Sequence, residues 1–186
     1  MLLKAQAQRA ASPAKSLETM REFLARNPKA REVRLQYARS LVNDKQYKEA
    51  RAEFERLLKD FPNNADVVYA VGVLSMQLND YDAAEASLRK LLDMDYQEPN
   101  LVRLYLGQIA EERKQTEEAI KWFSSVEAGE QYVAAQVRIA NLLARQGKID
   151  EARRSLQSAA AGSSRDRIQF LLAEVQIMRD AGKAQE

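Results

Sequence analysis

Histidine and cysteine are both absent from this chain of 186 residues. Their absence excludes an imidazole base, a thiolate nucleophile, a disulfide and the usual structural zinc ligands. No apolar run reaches the length of about 18 residues that crosses a bilayer, so the sequence predicts no transmembrane segment. The opening MLLKAQAQRA has only a two-leucine apolar run, too short for the hydrophobic region of a secretory signal. Neither sign of charge dominates: 29 basic residues stand against 27 acidic ones, interspersed along the chain. That leaves no basic stripe for nucleic acid. Glycine and proline are scarce, at six and four, so the places they occupy carry information.

What the chain does have is a period. Small residues recur in pairs 12 apart: Ala38/Ala50, Gly72/Ala84, Gly107/Ala119 and Ala140/Ala152. Successive pairs begin 34, 35 and 33 residues apart. A repeat of this length marks a tandem array of one supersecondary unit, in which each unit packs on its neighbours. Small residues at a fixed offset mark close helix crossings. The predicted architecture is a single all-α array over residues 1–186. It divides into a partial repeat at 1–30 with its second helix at 14–26, full repeats at 31–64, 65–99, 100–132 and 133–167, and the first helix of a truncated repeat at 168–186.

Helical periodicity supports each unit. In the first helices, Tyr37, Ala38 and Leu41 recur as Val68, Val71 and Gly72, then Leu106, Gly107 and Ala110, then Ile139, Ala140 and Leu143. The second helices repeat Ala50, Phe54, Leu57 and Leu58 as Ala84, Leu88, Leu91 and Leu92, then Ala119, Phe123 and Val126, then Ala152, Leu156 and Ala159. Spacings of three and four put each set on one face. Pro28 and Pro62 end units, and Pro99 is expected to close the next. Gly72 and Gly107 sit at crossings, where close packing outweighs the cost of about 1 kcal/mol for glycine in a helix. Gly147 and Gly182 fall in turns, Gly129 and Gly162 in links. Both ends fall in mid-repeat, AGKAQE at 181–186 paralleling QGKIDE at 146–151. The sequence therefore reads as an excerpt from a longer protein.

The small residue in the first helix, the alanine 12 later, the large apolar residue four further on and the closing proline resemble the tetratricopeptide repeat. The resemblance covers residues 14–186. It departs where Arg34, Val68, Arg103 and Gln136 replace an early aromatic, and where the last two full units lack the closing proline. It implies a right-handed α-solenoid of antiparallel helix pairs, the tetratricopeptide superhelix. The concave face of such a superhelix, lined by first helices, commonly binds an extended peptide or a partner helix. It does not imply an enzyme, and no cofactor is expected. More narrowly, YVAAQVRIANLLARQGKIDEAR resembles large tetratricopeptide outer-membrane lipoproteins of proteobacteria, which act as adaptors for a periplasmic C-terminal processing protease. That resemblance implies the periplasm, attached to the outer membrane; the alternative compartment is the cytoplasm.

Groove positions are those of the first helices off the packed stripe. They are Leu35, Arg39, Val42 and Asn43, then Tyr69, Val73, Met76 and Gln77. The third unit adds Leu104, Gln108, Glu111 and Glu112, the fourth Val137, Asn141, Ala144 and Arg145, and the last helix Leu172, Gln176 and Arg179. Amides there would satisfy a peptide backbone while apolar groups take its side chains. The carboxylate clamp of chaperone-binding relatives is missing, since its places hold Leu35, Arg39, Ala70, Leu101 and Tyr105. Glu111, Glu112, Glu117 and Glu118 read as a solvated face among lysines rather than a metal or acid–base pair. Trp122 reads as packed against a neighbouring unit, and Arg153, Arg154, Arg165 and Arg167 as solvated surface. The expected function is a non-catalytic scaffold that binds a protein or peptide. The alternatives are self-assembly into a homo-oligomer through uncapped solenoid ends, or a regulatory region of an enzyme whose catalytic domain lies elsewhere.

Overall fold

The computed structural model describes residues 13–162 and 164–182. The opening MLLKAQAQRA and the part of AGKAQE beyond Gly182 lie outside the described residues. Those residues form α-helices joined by short turns, with no strand among them. Two compact units divide the chain, residues 1–96 and 97–186.

The first unit holds α1 (Pro13–Arg26), α2 (Arg31–Asn43), α3 (Tyr47–Asp60), α4 (Ala65–Gln77) and α5 (Tyr81–Asp93). Its core joins Met20, Leu24, Ala38, Leu41, Phe54 and Leu57. The spaced small residues do what their spacing predicts. Ala38, Ala50 and Ala84 are fully buried, and a methyl on Gly72 would lie 3.3 Å from Ser87 Cβ on α5. Side-chain caps start two helices: Asn64 accepts from the Val67 N–H at 3.1 Å and Asp80 from that of Ala83 at 3.3 Å. Arg34 on α2 pairs with Glu53 on α3, and Arg56 reaches the same carboxylate at 2.5 Å. Burial, then the nearby Glu53 charge, pushes the Tyr37 phenol above its ordinary range. Arg51 donates to Asp80 at 2.7 Å. That bond, and the cap from Ala83, hold the Asp80 carboxyl below the usual carboxylate range.

The second unit holds α6 (Pro99–Glu112), α7 (Thr116–Ser124), α8 (Tyr132–Arg145), α9 (Ile149–Gly162) and α10 (Arg167–Asp180). Phe123 centres one core cluster with Ala119, Val126 and Ile139. Ala140, Ala152, Leu156 and Phe170 form another. At Gly107 a methyl would lie 2.5 Å from Phe123 Cδ1 and 2.9 Å from Cζ, and closer still to Cε1. Only glycine fits under that ring. Trp122 packs at the edge of the Phe123 cluster.

Pro99 corrects the expectation placed on it. It does not close a helical unit but opens α6 at its first turn. There the fixed φ suits a helix start and the missing N–H costs nothing. The turns inside the helix pairs share one geometry. Lys45, Asn79, Lys114 and Gly147 have φ of 60°, 58°, 60° and 78°. The following residue in each case donates its N–H five positions back, as in Gln46 to Leu41 at 2.9 Å and Gln115 to Ala110 at 2.8 Å. This left-handed closure satisfies carbonyls that the helix end leaves open. Gly147 adopts it at no steric cost, whereas two lysines adopt it under strain.

Candidate functional site

In the first unit the predicted groove residues converge. Leu35, Arg39 and Asn43 follow one another at intervals of four along α2, and Tyr69 and Val73 are four apart on α4, so each set shares a helix face. All five line one cavity of about 440 Å³. Val42, Phe54, Ala70 and Leu74 supply apolar wall, and Asn64 and Asp66 sit at its edge. Met76, half-buried, and Gln77, exposed, lie outside that lining. Tyr69 is held in place by stacking on Tyr96, with ring centroids 5.7 Å apart and planes 18° apart. Arg39 is exposed and, among the described residues, has no ion pair or hydrogen bond. The same holds for Asp66. Sequence reasoning passed over Asp66, although it lies three before Tyr69 and so shares its face.

The second unit treats its predicted residues differently. Glu111, Val137, Asn141 and Arg145 line a cavity of about 550 Å³. Asn141 and Arg145 also line another of about 440 Å³, together with Gln176. Glu111, however, is already engaged: it accepts from Arg138 at 2.7 Å and from Arg145 at 3.0 Å. Gln176 donates to Asp180 at 2.7 Å. Arg138, whose guanidinium also lies 5.9 Å from the centre of the Phe123 ring, was not predicted. Gln108 is half-buried. Leu104 presents almost nothing, being 8% exposed and part of the core cluster that includes Ala135 and Ile139 of α8. Arg39 thus keeps a free guanidinium beside an apolar cavity, while Arg138 and Arg145 are held by an internal carboxylate.

The acidic cluster disperses into separate contacts. Glu117 accepts from Gln146 at 3.1 Å and Glu118 lies 3.8 Å from Lys121. Among the described residues no group of three or more acidic side chains is placed to hold a metal ion. None of their helices is long and apolar enough to cross a membrane. One surface feature stands apart. Ile168, Leu171, Leu172 and Val175, at the three-four-seven spacing of one helix face, are 46–70% exposed along α10.

Comparison with known proteins places the chain. A stretch of 71 residues, 38% of this chain, is 37% identical to cellulose synthase operon protein C of Pseudomonas fluorescens (strain SBW25). That stretch spans only 6% of the relative's length. Among solved structures, a tetratricopeptide repeat protein from Parabacteroides merdae superposes with a TM-score of 0.73 at 16% identity, covering 98% of this chain and 72% of its own. YrrB, described as a tetratricopeptide protein with an unusual peptide-binding site, superposes with a TM-score of 0.61 at 16% identity, covering 91% of this chain and 87% of its own. At these identities the likeness establishes the fold. Tetratricopeptide-repeat family models match residues 6–72 and 41–105, and again 134–161. Matched across more than half its length, the chain belongs to the tetratricopeptide repeat family.

Proposed function

We propose that this chain is a non-catalytic interaction module that holds a peptide or partner segment against the exposed faces of its first helices. The observation that carries this reading is the first-unit cavity. Its lining includes six residues of α2 and α4 expected off the packed stripe, Leu35, Arg39, Val42, Asn43, Tyr69 and Val73, with apolar wall for side chains and, among the described residues, unpaired polar groups for a backbone. Recognition uses preformed helices and needs little rearrangement. The test is affinity capture from native cell extract with the parent chain and with a variant combining Arg39→Glu, Arg145→Glu and Tyr69→Ala. A captured protein that disappears with the folded variant supports the reading; one retained unchanged overturns it.

Two finer readings name different partners. An adaptor role would bring substrates to a periplasmic processing protease, as the resemblance of YVAAQVRIANLLARQGKIDEAR implies. The match to cellulose synthase operon protein C points instead to products of a cellulose synthase operon. The identity of the captured protein tells them apart.

A second reading, self-association, is favoured by the stripe on α10. Four large apolar side chains on one exposed helix face suit a helix–helix contact between copies. Sedimentation velocity at rising concentration tests it. A mass that stays monomeric, or a dimer unaffected by Leu172→Lys, removes this reading.

A further inference from the structure

We infer that the first-unit cavity takes an extended peptide carrying a single side-chain carboxylate flanked by large apolar residues. The inference rests on the groove reading above and names the chemistry its occupant must bring. Three observations carry it. Arg39 is an exposed guanidinium without a partner among the described residues, and it lines a cavity whose walls include Leu35, Tyr69 and Val73. A guanidinium in that position binds a carboxylate through paired, charge-assisted hydrogen bonds. Asn43, one helical turn further along the same face and also without a side-chain partner among the described residues, adds an amide donor and acceptor. The cavity volume of about 440 Å³ exceeds what one leucine-sized side chain fills, so apolar residues on both sides of the acid find room.

The same lining limits the charge. Asp66 lines the same cavity and, among the described residues, makes no ion pair, so a run of acidic residues meets repulsion there and one carboxylate, set on Arg39, is preferred. The second unit supplies the contrast. Its cavity-lining arginines already bind the Glu111 carboxylate, at 2.7 Å from Arg138 and 3.0 Å from Arg145. An incoming acid must displace that internal partner before it gains anything. Among the described residues Arg39 has no such competitor. Selectivity for an acidic–apolar peptide is therefore expected from the first unit and not from the second.

The probe is a seven-residue peptide, blocked at both ends, with leucine–aspartate–leucine in a glycine–serine frame. Its aspartate is the only carboxylate. Binding is followed by amide NMR shifts of the full chain. The expected result is shifts at Arg39, Asn43, Tyr69 and Val73. Binding should become about tenfold weaker or more when the peptide aspartate becomes asparagine or when Arg39 becomes glutamine. Replacing both peptide leucines by alanine should weaken it likewise, while Arg154→Gln, on exposed surface outside the lining of this cavity, leaves it unchanged. Equal binding of the asparagine or a lysine peptide, still abolished by Tyr69→Ala, would overturn the acidic specificity and leave the groove function standing. Shifts confined to the second unit, or none at these residues with any peptide, would overturn both.

Discussion

Replacing Gly107 by alanine separates close helix packing from intrinsic helix propensity. In an open helix the change should stabilise by about 1 kcal/mol, because alanine loses less backbone freedom. Here the new methyl would stand 2.5 Å and 2.9 Å from carbons of the Phe123 ring, where carbon atoms prefer about 3.5–4.0 Å. Phe123 is fully buried in the cluster with Ala119, Val126 and Ile139, where close packing opposes displacement of the ring. Overpacking of this kind costs about 1–3 kcal/mol, and a rigid ring at such separations belongs at the upper end. The net expectation for Gly107→Ala is a loss of about 1–2 kcal/mol. Gly72→Ala is the internal control, since its methyl would meet Ser87 and Leu88 at 3.3–3.4 Å. Packing and propensity should nearly cancel there, leaving stability within about 0.5 kcal/mol of the parent, so that packing outweighs glycine's cost clearly only at Gly107. Urea unfolding followed by circular dichroism reads both. Adding Phe123→Leu to Gly107→Ala should recover part of the loss, with a favourable coupling of about 0.5 kcal/mol or more. A Gly107→Ala variant as stable as the parent would refute the close crossing.

Other expectations follow from the turns and ion pairs. Lys45→Gly and Lys114→Gly relieve residues at φ of 60°, and each should raise stability by about 0.5–1 kcal/mol; the converse, Gly147→Lys, should lower it by a similar amount. Arg34→Ala leaves the buried Glu53 carboxylate with Arg56 alone, and should cost about 2 kcal/mol in urea unfolding at neutral pH. Asp80 has a folded-state carboxyl held below its unfolded value by Arg51 and by the Ala83 N–H. Its contribution is therefore complete above about pH 4 and fades as pH falls through the depressed value. The stability difference between the parent and Asp80→Asn should shrink over that acid range, and a difference that is flat with pH would contradict the link.

The fold was legible because it is written at short range and then repeated. A small residue, an alanine 12 later and an apolar stripe at helical spacing need no knowledge of distant parts of the chain. The close approach of Gly107 to Phe123 could be anticipated in kind from that pattern, though not in degree. Pro99 was misread because proline suits the first turn of a helix as well as the end of a unit, and only the backbone distinguishes the two. The lining of the first-unit cavity was legible where it follows from helix phase, as at Leu35, Arg39, Asn43, Tyr69 and Val73. It was not legible where tertiary contacts decide. Leu104 has the phase of Leu35 but is buried in the core cluster that includes Ala135 and Ile139. Glu111 and Arg145 are 34 residues apart, and nothing local announces that they pair with each other rather than with a ligand.

Amide hydrogen exchange on the chain, alone and bound to the partner captured from native extract, tests most directly the claim that the first-helix faces are the binding surface. Slowed exchange on binding should concentrate in α2 and α4, around residues 35–43 and 69–77, and should vanish in the Arg39→Glu, Arg145→Glu and Tyr69→Ala variant. Protection confined to the second helices α3 and α5, with 35–43 and 69–77 unchanged, would contradict the claim.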